Sequence, residues 1–430
     1  MSNNVHWSDT LLMPEAFLLT LGCPKNEADS DAFAGCLTRA GWRITRDLGD
    51  TDLLLINTCA FIKPAVDESL EAIQQALEWK NERSGRILIL AGCLPGRYPD
   101  DGSGGLEDFD LITGPGDTSR LEKYLSVQSA SGPEPAGGWI SRYLKISEGC
   151  SNNCAYCTIP LIRGARRDRS PEEILMDAEY LAEQGAVEIG IVGQDTASWK
   201  CGRGGISWLI SQLAGTYPDI WFRLYYIHPA YYPDDFAPLL AEHENVMPYI
   251  DIPVQHVSDR ILKRMGRPYT GDHIRKLFDG FENNDTMLSV RTTLIAGYPG
   301  ETEEDFNELV EFLSKYRCIR TIAAFPYWPE EGTREFSRQS AEDLPDESAV
   351  QSRLARIGDL ADEHNLIWAD RLEGEIMDIL ADTPLLGHSR LDAPEVDGAC
   401  CFDRSVEPGR IVRCRITGGT GSDLNAEVLK

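Results

Sequence analysis

The chain has 430 residues, 42% of them hydrophobic, and its 69 Asp and Glu outnumber 41 Lys and Arg, giving a formal net charge of -28. This length predicts two or three domains, each with a sizeable core. The acidic balance argues against a nucleic-acid partner and favours a basic one. The chain shows no apolar run of the roughly 20 residues that a membrane span needs, and no signal-peptide pattern at its start. We therefore expect a cytoplasmic protein without a membrane partner.

The segment from residue 14 to 125 alternates apolar strands with helical stretches, which predicts an open parallel α/β domain. A cysteine follows each strand closely: Cys23, Cys59 and Cys93. Because the carboxyl ends of parallel strands meet at one edge of a sheet, these three thiols should gather there. Their spacing alone leaves open whether they form a metal site. Cys36 falls on an apolar helix position, where we expect it to pack as a small hydrophobic residue.

Residues 126–138 are rich in Ser, Gly and Pro and predict a linker. From 139 to 370, six strand-like segments alternate with helices, which predicts a partial TIM-type (βα)6 barrel with its site at the carboxyl ends of the strands. The six segments are RYLKIS, VEIGIV, WFRLYYI, YIDIPV, LSVRTTLIA and IRTIAAFPY.

Three cysteines in EGCSNNCAYC, Cys150, Cys154 and Cys157, directly follow the first barrel strand with gaps of three and two residues. Thiolates suit an iron-sulfur cluster, and three of them leave one iron of a four-iron cubane open to a ligand. A closed zinc site needs a fourth ligand, and the nearest downstream histidine, His228, stands alone. Twelve cysteines in a reducing compartment also argue against a disulfide framework.

A short basic run follows this loop, formed by Arg163, Arg166, Arg167 and Arg169. Such a run is usually a solvated face, although one guanidinium could bind the carboxylate of a ligand or substrate. The sequence does not say which.

From 371 to 430 the pattern changes to short strands between turn residues and predicts a small all-β barrel. This segment holds 11 acidic and seven basic side chains, a net charge of -4. We expect Cys400, Cys401 and Cys414 to pack on its strands as apolar residues.

The CxxxCxxC motif resembles that of the radical S-adenosylmethionine (SAM) enzymes, in which SAM chelates the open iron. The full layout, including a final module similar to a TRAM domain, resembles the methylthiotransferase family. This resemblance implies two 4Fe-4S clusters, an auxiliary one on Cys23, Cys59 and Cys93 and a SAM-binding one on Cys150, Cys154 and Cys157. It also implies an adenine neighbour in Tyr156 and SAM contacts near IVGQDT and at Gly297 and Gly300, and it requires an electron donor.

The family has two branches, one modifying an adenosine of tRNA and the other an aspartate of the twelfth small-subunit ribosomal protein. Three motifs are similar to those of the ribosomal-protein branch: LGCPKNEADSD, the QDT that contains Asp195, and APEVDG at 393–398. The net charge of the last module agrees, since a tRNA-binding module needs positive surface. The resemblance thus implies methylthiolation of the β-carbon of an aspartate in that basic protein, free or assembled. The alternatives are tRNA adenosine methylthiolation and a non-catalytic iron-sulfur protein that carries electrons or binds ribosomes.

Overall fold

The computed structural model of the chain describes residues 13–99, 108–126, 140–284 and 286–429. The chain divides into two compact units, one formed by residues 1–60 and 64–137 and the other by 61–63 and 138–430. Apart from Ser126, the expected linker lies outside the described residues. The second unit contains both the segment expected to form a barrel and the final β segment. No described helix is both long enough and apolar enough to cross a membrane.

The first unit is an open parallel sheet with helices, as its sequence predicts. Its strands are β1 (Glu15–Thr20), β2 (Arg43–Thr45), β3 (Leu53–Thr58), β4 (Ile87–Gly92) and β5 (Leu111–Ile112). Its helices are α1 (Pro24–Arg39), α2 (Lys63–Glu82), α3 (Cys93–Arg97) and α4 (Thr118–Leu125). The strands pair in the order β2-β1-β3-β4-β5, all in parallel.

The central strand of this sheet explains its stability. Every residue of β3 is buried, as expected for a run of leucines covered on both faces. On one face Cys36 packs in a cluster with Phe33 and Leu37, so its expected packing role is confirmed.

The second unit begins with six parallel strands that match the six predicted ones. They are β6 (Ser141–Lys145), β9 (Glu188–Val192), β12 (Trp221–Leu224), β13 (Tyr249–Asp251), β14 (Ser289–Ala296) and β15 (Ile319–Pro326). They form two three-stranded sheets, β6-β9-β12 and β13-β14-β15, which a bridge between Phe222 and Val246 connects. Among the described residues β6 and β15 do not pair, so the barrel is partial.

Short strands and helices connect these six. The short strands are β7 (Ser147–Glu148), β8 (Arg167–Asp168), β10 (Lys200–Cys201) and β11 (Gly204–Gly205). The helices are α5 (Ile159–Arg163), α6 (Pro171–Glu183), α7 (Ile206–Thr216), α8 (Phe236–Glu242), α9 (Asp259–Met265), α10 (Gly271–Glu282), α11 (Glu303–Lys315), α12 (Arg334–Arg338) and α13 (Glu347–Leu372). Local sequence fixes several starts: Ser170 and Glu173 form a reciprocal capping box at α6, and Thr302 and Asp305 form one at α11.

The chain ends in a small closed barrel with strand order β16-β17-β18-β20-β19. Its strands are β16 (Ile376–Ala381), β17 (Leu386–Ser389), β18 (Cys400–Phe402), β19 (Ile411–Thr420) and β20 (Asp423–Val428). Cys400 and Cys414 are fully buried in its core, as expected. Cys401 is only half-buried, contrary to the expectation, because neighbouring residues of a strand point to opposite faces.

Buried ion pairs connect this small barrel to the strands of the larger one. Arg223 Nε lies 2.8 Å from Glu188 Oε1, and His388 Nε2 lies 2.7 Å from the other oxygen of that carboxylate. Arg223 also donates to the carbonyls of Ser389 and Arg390. Two further pairs connect β14 and β15 to the chain between β17 and β18: Arg320 with Asp392 and Arg291 with Asp397, each at 2.6 Å.

Candidate iron-sulfur and SAM sites

The first unit brings its three loop cysteines to one edge of the sheet. Cys23 directly precedes α1, Cys59 follows β3 and Cys93 begins α3. Cys23 is half-buried, whereas Cys59 and Cys93 are buried. Strand order and the position of each cysteine after its strand therefore produce the clustering that the sequence predicts.

Asn26 connects these loops, and sequence reasoning did not single it out. Its amide donates to the carbonyls of Leu21 and Thr58, at 2.7 and 3.0 Å, and its side-chain oxygen lies 3.7 Å from the sulfur of Cys93. Asn26 is fully buried. The signal in the sequence was an asparagine in the first turn of a helix, three positions after Cys23. If that position is buried, its amide must find hydrogen-bond partners.

The second set of cysteines lies on the loop between β7 and α5. The backbone of this loop is held at several points: Cys150 donates to the carbonyl of Gly164 at 3.1 Å, and Ala155 donates to that of Met265 at 2.8 Å. Within the loop, Cys157 donates to the carbonyl of Cys154. The loop is thus fixed before any metal binds.

Gly149, directly before Cys150, allows this loop to pass close to the chain after α5. Its φ is +71°, and a Cβ atom there would lie 2.6 Å from the carbonyl oxygen of Gly164. Only glycine adopts this conformation without strain and leaves that space free.

Burial raises the pKa of two of the thiols in this loop. Burial and the neighbouring Cys154 raise the pKa of Cys157 to about 12, against a smaller opposing effect of Arg267. Burial also raises the pKa of Cys150. Iron would displace these protons, because a coordinating thiol is deprotonated outright.

Glu148 pairs with two cations beside the cysteine loop. Its carboxylate accepts from Arg163 at 3.0 Å and from Lys145 at 2.9 Å. Burial alone would raise the pKa of Glu148, but Lys145 and Arg163 outweigh that effect and lower it to about 2.

The loop after β9, which contains QDT, reaches the cysteine loop. Asn152 donates to Asp195 Oδ2 at 2.8 Å, and Gln194 donates to Glu148 at 3.3 Å. Three buried acceptor oxygens here have no hydrogen-bond partner among the described residues: Ser147 Oγ, Gln194 Oε1 and Asp195 Oδ1. Buried polar atoms normally have partners, so each of these oxygens is available to a hydrogen-bond donor outside the described protein.

The basic run after the loop is largely neutralised by the protein itself. Arg163 pairs with Glu148 at 3.0 Å, Arg166 with Asp168 at 2.7 Å, and Arg169 with Asp177 at 2.7 Å. These pairs give the three arginines structural partners.

Tyr156 lines a cavity of about 150 Å³ near the ends of β14 and β15. Its ring meets that of Tyr298 edge-on at 6.1 Å. The remaining lining residues are mainly apolar and aromatic: Phe61, Ile62, Gln255, Thr293, Ile295, Phe325, Pro326, Tyr327, Trp328 and Glu330. A ring at the edge of a cavity beside the cysteine loop is compatible with the expected adenine contact, which remains a prediction.

Gly297 and Gly300 follow β14, where the sequence predicted close approach to SAM. The side chain of Val350 occupies the space over Gly297, and that of Arg264 the space over Gly300. Neither glycine lines the cavity at Tyr156. Their contact with SAM also remains a prediction.

Both cysteine sets fit an iron-sulfur cluster by their donor chemistry, three thiols on fixed loops. Within the described residues, no three His, Cys, Asp or Glu side chains stand in the arrangement of an assembled metal site. In a cubane each thiolate binds a different iron, so its sulfurs need not converge on one point as the ligands of a single ion do.

Three protein-family models match successive parts of the chain. Residues 15–114 match "Uncharacterized protein family UPF0004", 144–313 match the radical SAM superfamily, and 374–429 match the TRAM domain. These ranges contain the first cysteine set, the second set and the small β barrel, in that order.

Among similar proteins, the ribosomal protein uS12 methylthiotransferase RimO of Desulforudis audaxviator is 35% identical over 438 residues and covers 96% of each chain. That of Syntrophus aciditrophicus is 34% identical, covering 96% of this chain and 98% of its own. The chain is a member of the RimO family. Similarity at this level over nearly the whole length includes all the described domains.

Solved structures support the fold. The radical SAM methyltransferase TsrM from Kitasatospora setae, with cobalamin and a 4Fe-4S cluster bound, superposes with a TM-score of 0.54 at 15% identity and covers 75% of this chain and 77% of its own. The same enzyme with tryptophan and a SAM analogue bound gives 0.52, with 72% of each chain covered. At such low identity the likeness concerns the fold alone.

Proposed function

We propose that this protein transfers a methylthio group to the β-carbon of an aspartate in ribosomal protein uS12, with SAM and two 4Fe-4S clusters as cofactors. The observation that carries the proposal is the pair of three-cysteine sets on two compact units, in a chain of the RimO family. Cys23, Cys59 and Cys93 would hold the auxiliary cluster. Cys150, Cys154 and Cys157 would hold the SAM-binding one.

The cofactors supply the methyl group, the sulfur chemistry and the hydrogen abstraction, while the protein positions and shields them. The backbone of the cysteine loop is held by hydrogen bonds of the protein itself. Asn152 connects the cysteine loop to Asp195, and the unpartnered oxygens of Ser147, Gln194 and Asp195 would accept from the methionyl amine of SAM.

The electrostatics of the small β barrel support a protein substrate over tRNA. Two exposed arginines of β19 are each paired with an acidic residue of a neighbouring strand: Arg413 with Asp378 at 3.3 Å and Arg415 with Glu427 at 3.2 Å. Cations neutralised in this way are poorly placed to bind phosphates. A chain with net charge -28 is suited to a basic partner.

The test is mass spectrometry of uS12 from cells with and without this gene. We expect a methylthio adduct on one aspartate in the parent, none in the deletion strain, and recovery on complementation. An unmodified uS12 in the parent strain contradicts the proposal, and tRNA nucleosides would then be analysed for the alternative substrate.

Two complementing variants strengthen this test. Cys157→Ala should fail to restore the adduct because it removes a ligand of the SAM-binding cluster. Cys201→Ala, which changes a half-buried cysteine outside both sets, should restore it.

A further inference from the structure

Arg267 is placed against the cysteine loop by the way α9 ends. Gly266 terminates the helix in the left-handed conformation, with φ of +72°, and Arg267 N donates to the carbonyl of Leu262 at 2.9 Å. This is the closing hydrogen bond of a Schellman motif, which fixes the residue after the glycine.

The same turn contacts the loop directly. Ala155 donates to the carbonyl of Met265, and a Cβ atom on Gly266 would lie 2.6 Å from the carbonyl oxygen of Asn153. Because residue 266 is a glycine, this turn can lie close to the cysteine loop, and the next residue, Arg267, is placed beside that loop.

The guanidinium of Arg267 is buried without a carboxylate. The residue is 8% exposed, and among the described residues no Asp or Glu forms an ion pair with it. Its protein contacts are the carbonyl of Pro253 at 3.2 Å and the rings of Tyr156 and Tyr269, whose centroids lie 5.9 and 5.8 Å away. In the part of the chain that the structure describes, its Nε has no hydrogen-bond partner.

A buried cation is costly unless an anion compensates it. Burial lowers the pKa of Arg267, but Tyr156, Tyr269, Cys154 and Cys157 raise it above its ordinary value. An arginine keeps its proton in proteins, so the buried charge is present at neutral pH. The turn that carries Arg267 contacts the cysteine loop at Asn153 and Ala155, and the guanidinium faces the ring of Tyr156, which lies between Cys154 and Cys157 in the chain. Three arginines of the nearby basic run, Arg163, Arg166 and Arg169, in contrast, have carboxylate partners.

We propose that Arg267 is the counter-charge of the cluster on Cys150, Cys154 and Cys157 and that it favours the reduced state of this cluster. The inference rests on the proposed function, which places a cluster there. Three thiolates around an oxidised cubane leave one net negative charge, and one-electron reduction makes it two. A fixed positive charge in a poorly solvated site stabilises the more negative state.

The balance of this step is simple. With a cluster bound, a low-potential one-electron donor would supply one electron to it, no bond would form or break, and Arg267 would keep its proton throughout. Arg267 acts through the cluster and is a positioning residue.

The test is a redox titration of the reconstituted full-length enzyme with dithionite, followed by electron paramagnetic resonance. The SAM-binding cluster is identified as the signal that changes when SAM is added. Arg267→Gln should lower its midpoint potential, with a ratio of reduced to oxidised cluster about tenfold smaller at a fixed potential, ~59 mV for one electron. Arg267→Lys, which keeps the charge, should stay near the wild type.

Lys263→Met is the matched control, because it removes one positive charge from an exposed position on α9, the helix that ends just before Arg267. It should leave the potential unchanged. Iron content is measured first, so that the Gln and Lys variants are compared at equal cluster occupancy.

An unchanged potential in Arg267→Gln overturns the proposal. If that variant instead binds SAM more weakly at an unchanged potential, Arg267 receives a carboxylate of SAM and not the cluster charge. A wild-type enzyme that forms no SAM-responsive cluster contradicts the proposed function itself, so the two failures are distinguishable.

Discussion

Individual residues carry most of the evidence for two clusters. Cys157→Ala and Cys93→Ala should each lower the iron content of the reconstituted protein by about half, because each removes a ligand from a different four-iron set. The double variant should retain little iron. Cys201→Ala should retain all of it. Iron analysis with visible absorbance measures this, and a full loss from either single variant would contradict two independent sites.

The sequence predicted that Cys23, Cys59 and Cys93 lie at one edge of the sheet, because each of them follows a strand and parallel strands end at the same edge. Asn26 and Arg267 were missed for a physical reason. The role of each depends on loops distant in sequence, the Thr58 carbonyl for Asn26 and the 150–157 loop for Arg267. The basic run from Arg163 attracted attention by its density, yet three of its members have carboxylate partners. Charge density in a sequence does not show which cation lacks a partner.

Among the secondary-structure elements, the long strands and helices agree with the prediction, because burial on one or both faces produces a clear hydrophobic periodicity in the sequence. The short strands β2, β5 and β17 were missed. Each has two to four residues, too few for a pattern to appear, and each forms through pairing with a neighbouring strand.

The cysteine loop should tolerate no side chain at Gly149. Gly149→Ala puts a β-carbon on a residue with left-handed backbone conformation and places that atom against the carbonyl oxygen of Gly164. The expected strain is about 1–3 kcal/mol. We expect a lower melting temperature and weaker iron retention in the second cluster. Gly280→Ala is the control: a Cβ there, in the last turn of α10, meets nothing within 4 Å, so alanine should stabilise by about 0.5–1 kcal/mol. Equal effects of the two variants would contradict this explanation.

For the molecule as a whole, the net charge determines which charge a partner should carry. With -28 charges the protein should attract a basic substrate at long range, and salt screens such attraction. We expect the affinity for purified uS12 to fall steadily between low and physiological ionic strength, measured by calorimetry. Binding that does not respond to salt would mean that apolar contacts dominate the recognition.

The ion pairs between the small β barrel and the larger one also concern the whole molecule, and their contribution to stability should depend on pH. His388 is 1% exposed and faces two carboxylates, Glu188 and Asp382, with Arg223 and the ring of Trp221 close by. Burial lowers the pKa of His388, but Glu188 and Asp382 outweigh it and raise it to about 9. The histidine is therefore protonated in the folded protein at neutral pH.

Because the folded pKa of His388 exceeds its unfolded value of 6.5, its contribution to stability is complete below pH 6.5 and is lost as pH rises through 9. That contribution is at most about 3 kcal/mol. Urea unfolding of the wild type between pH 6 and pH 10 should show this decline. His388→Gln should be less stable at pH 6 and show a flatter profile. His243→Gln, which removes an imidazole that contacts Ser211, should keep the wild-type slope. A profile that is unchanged in His388→Gln would assign the decline to other groups.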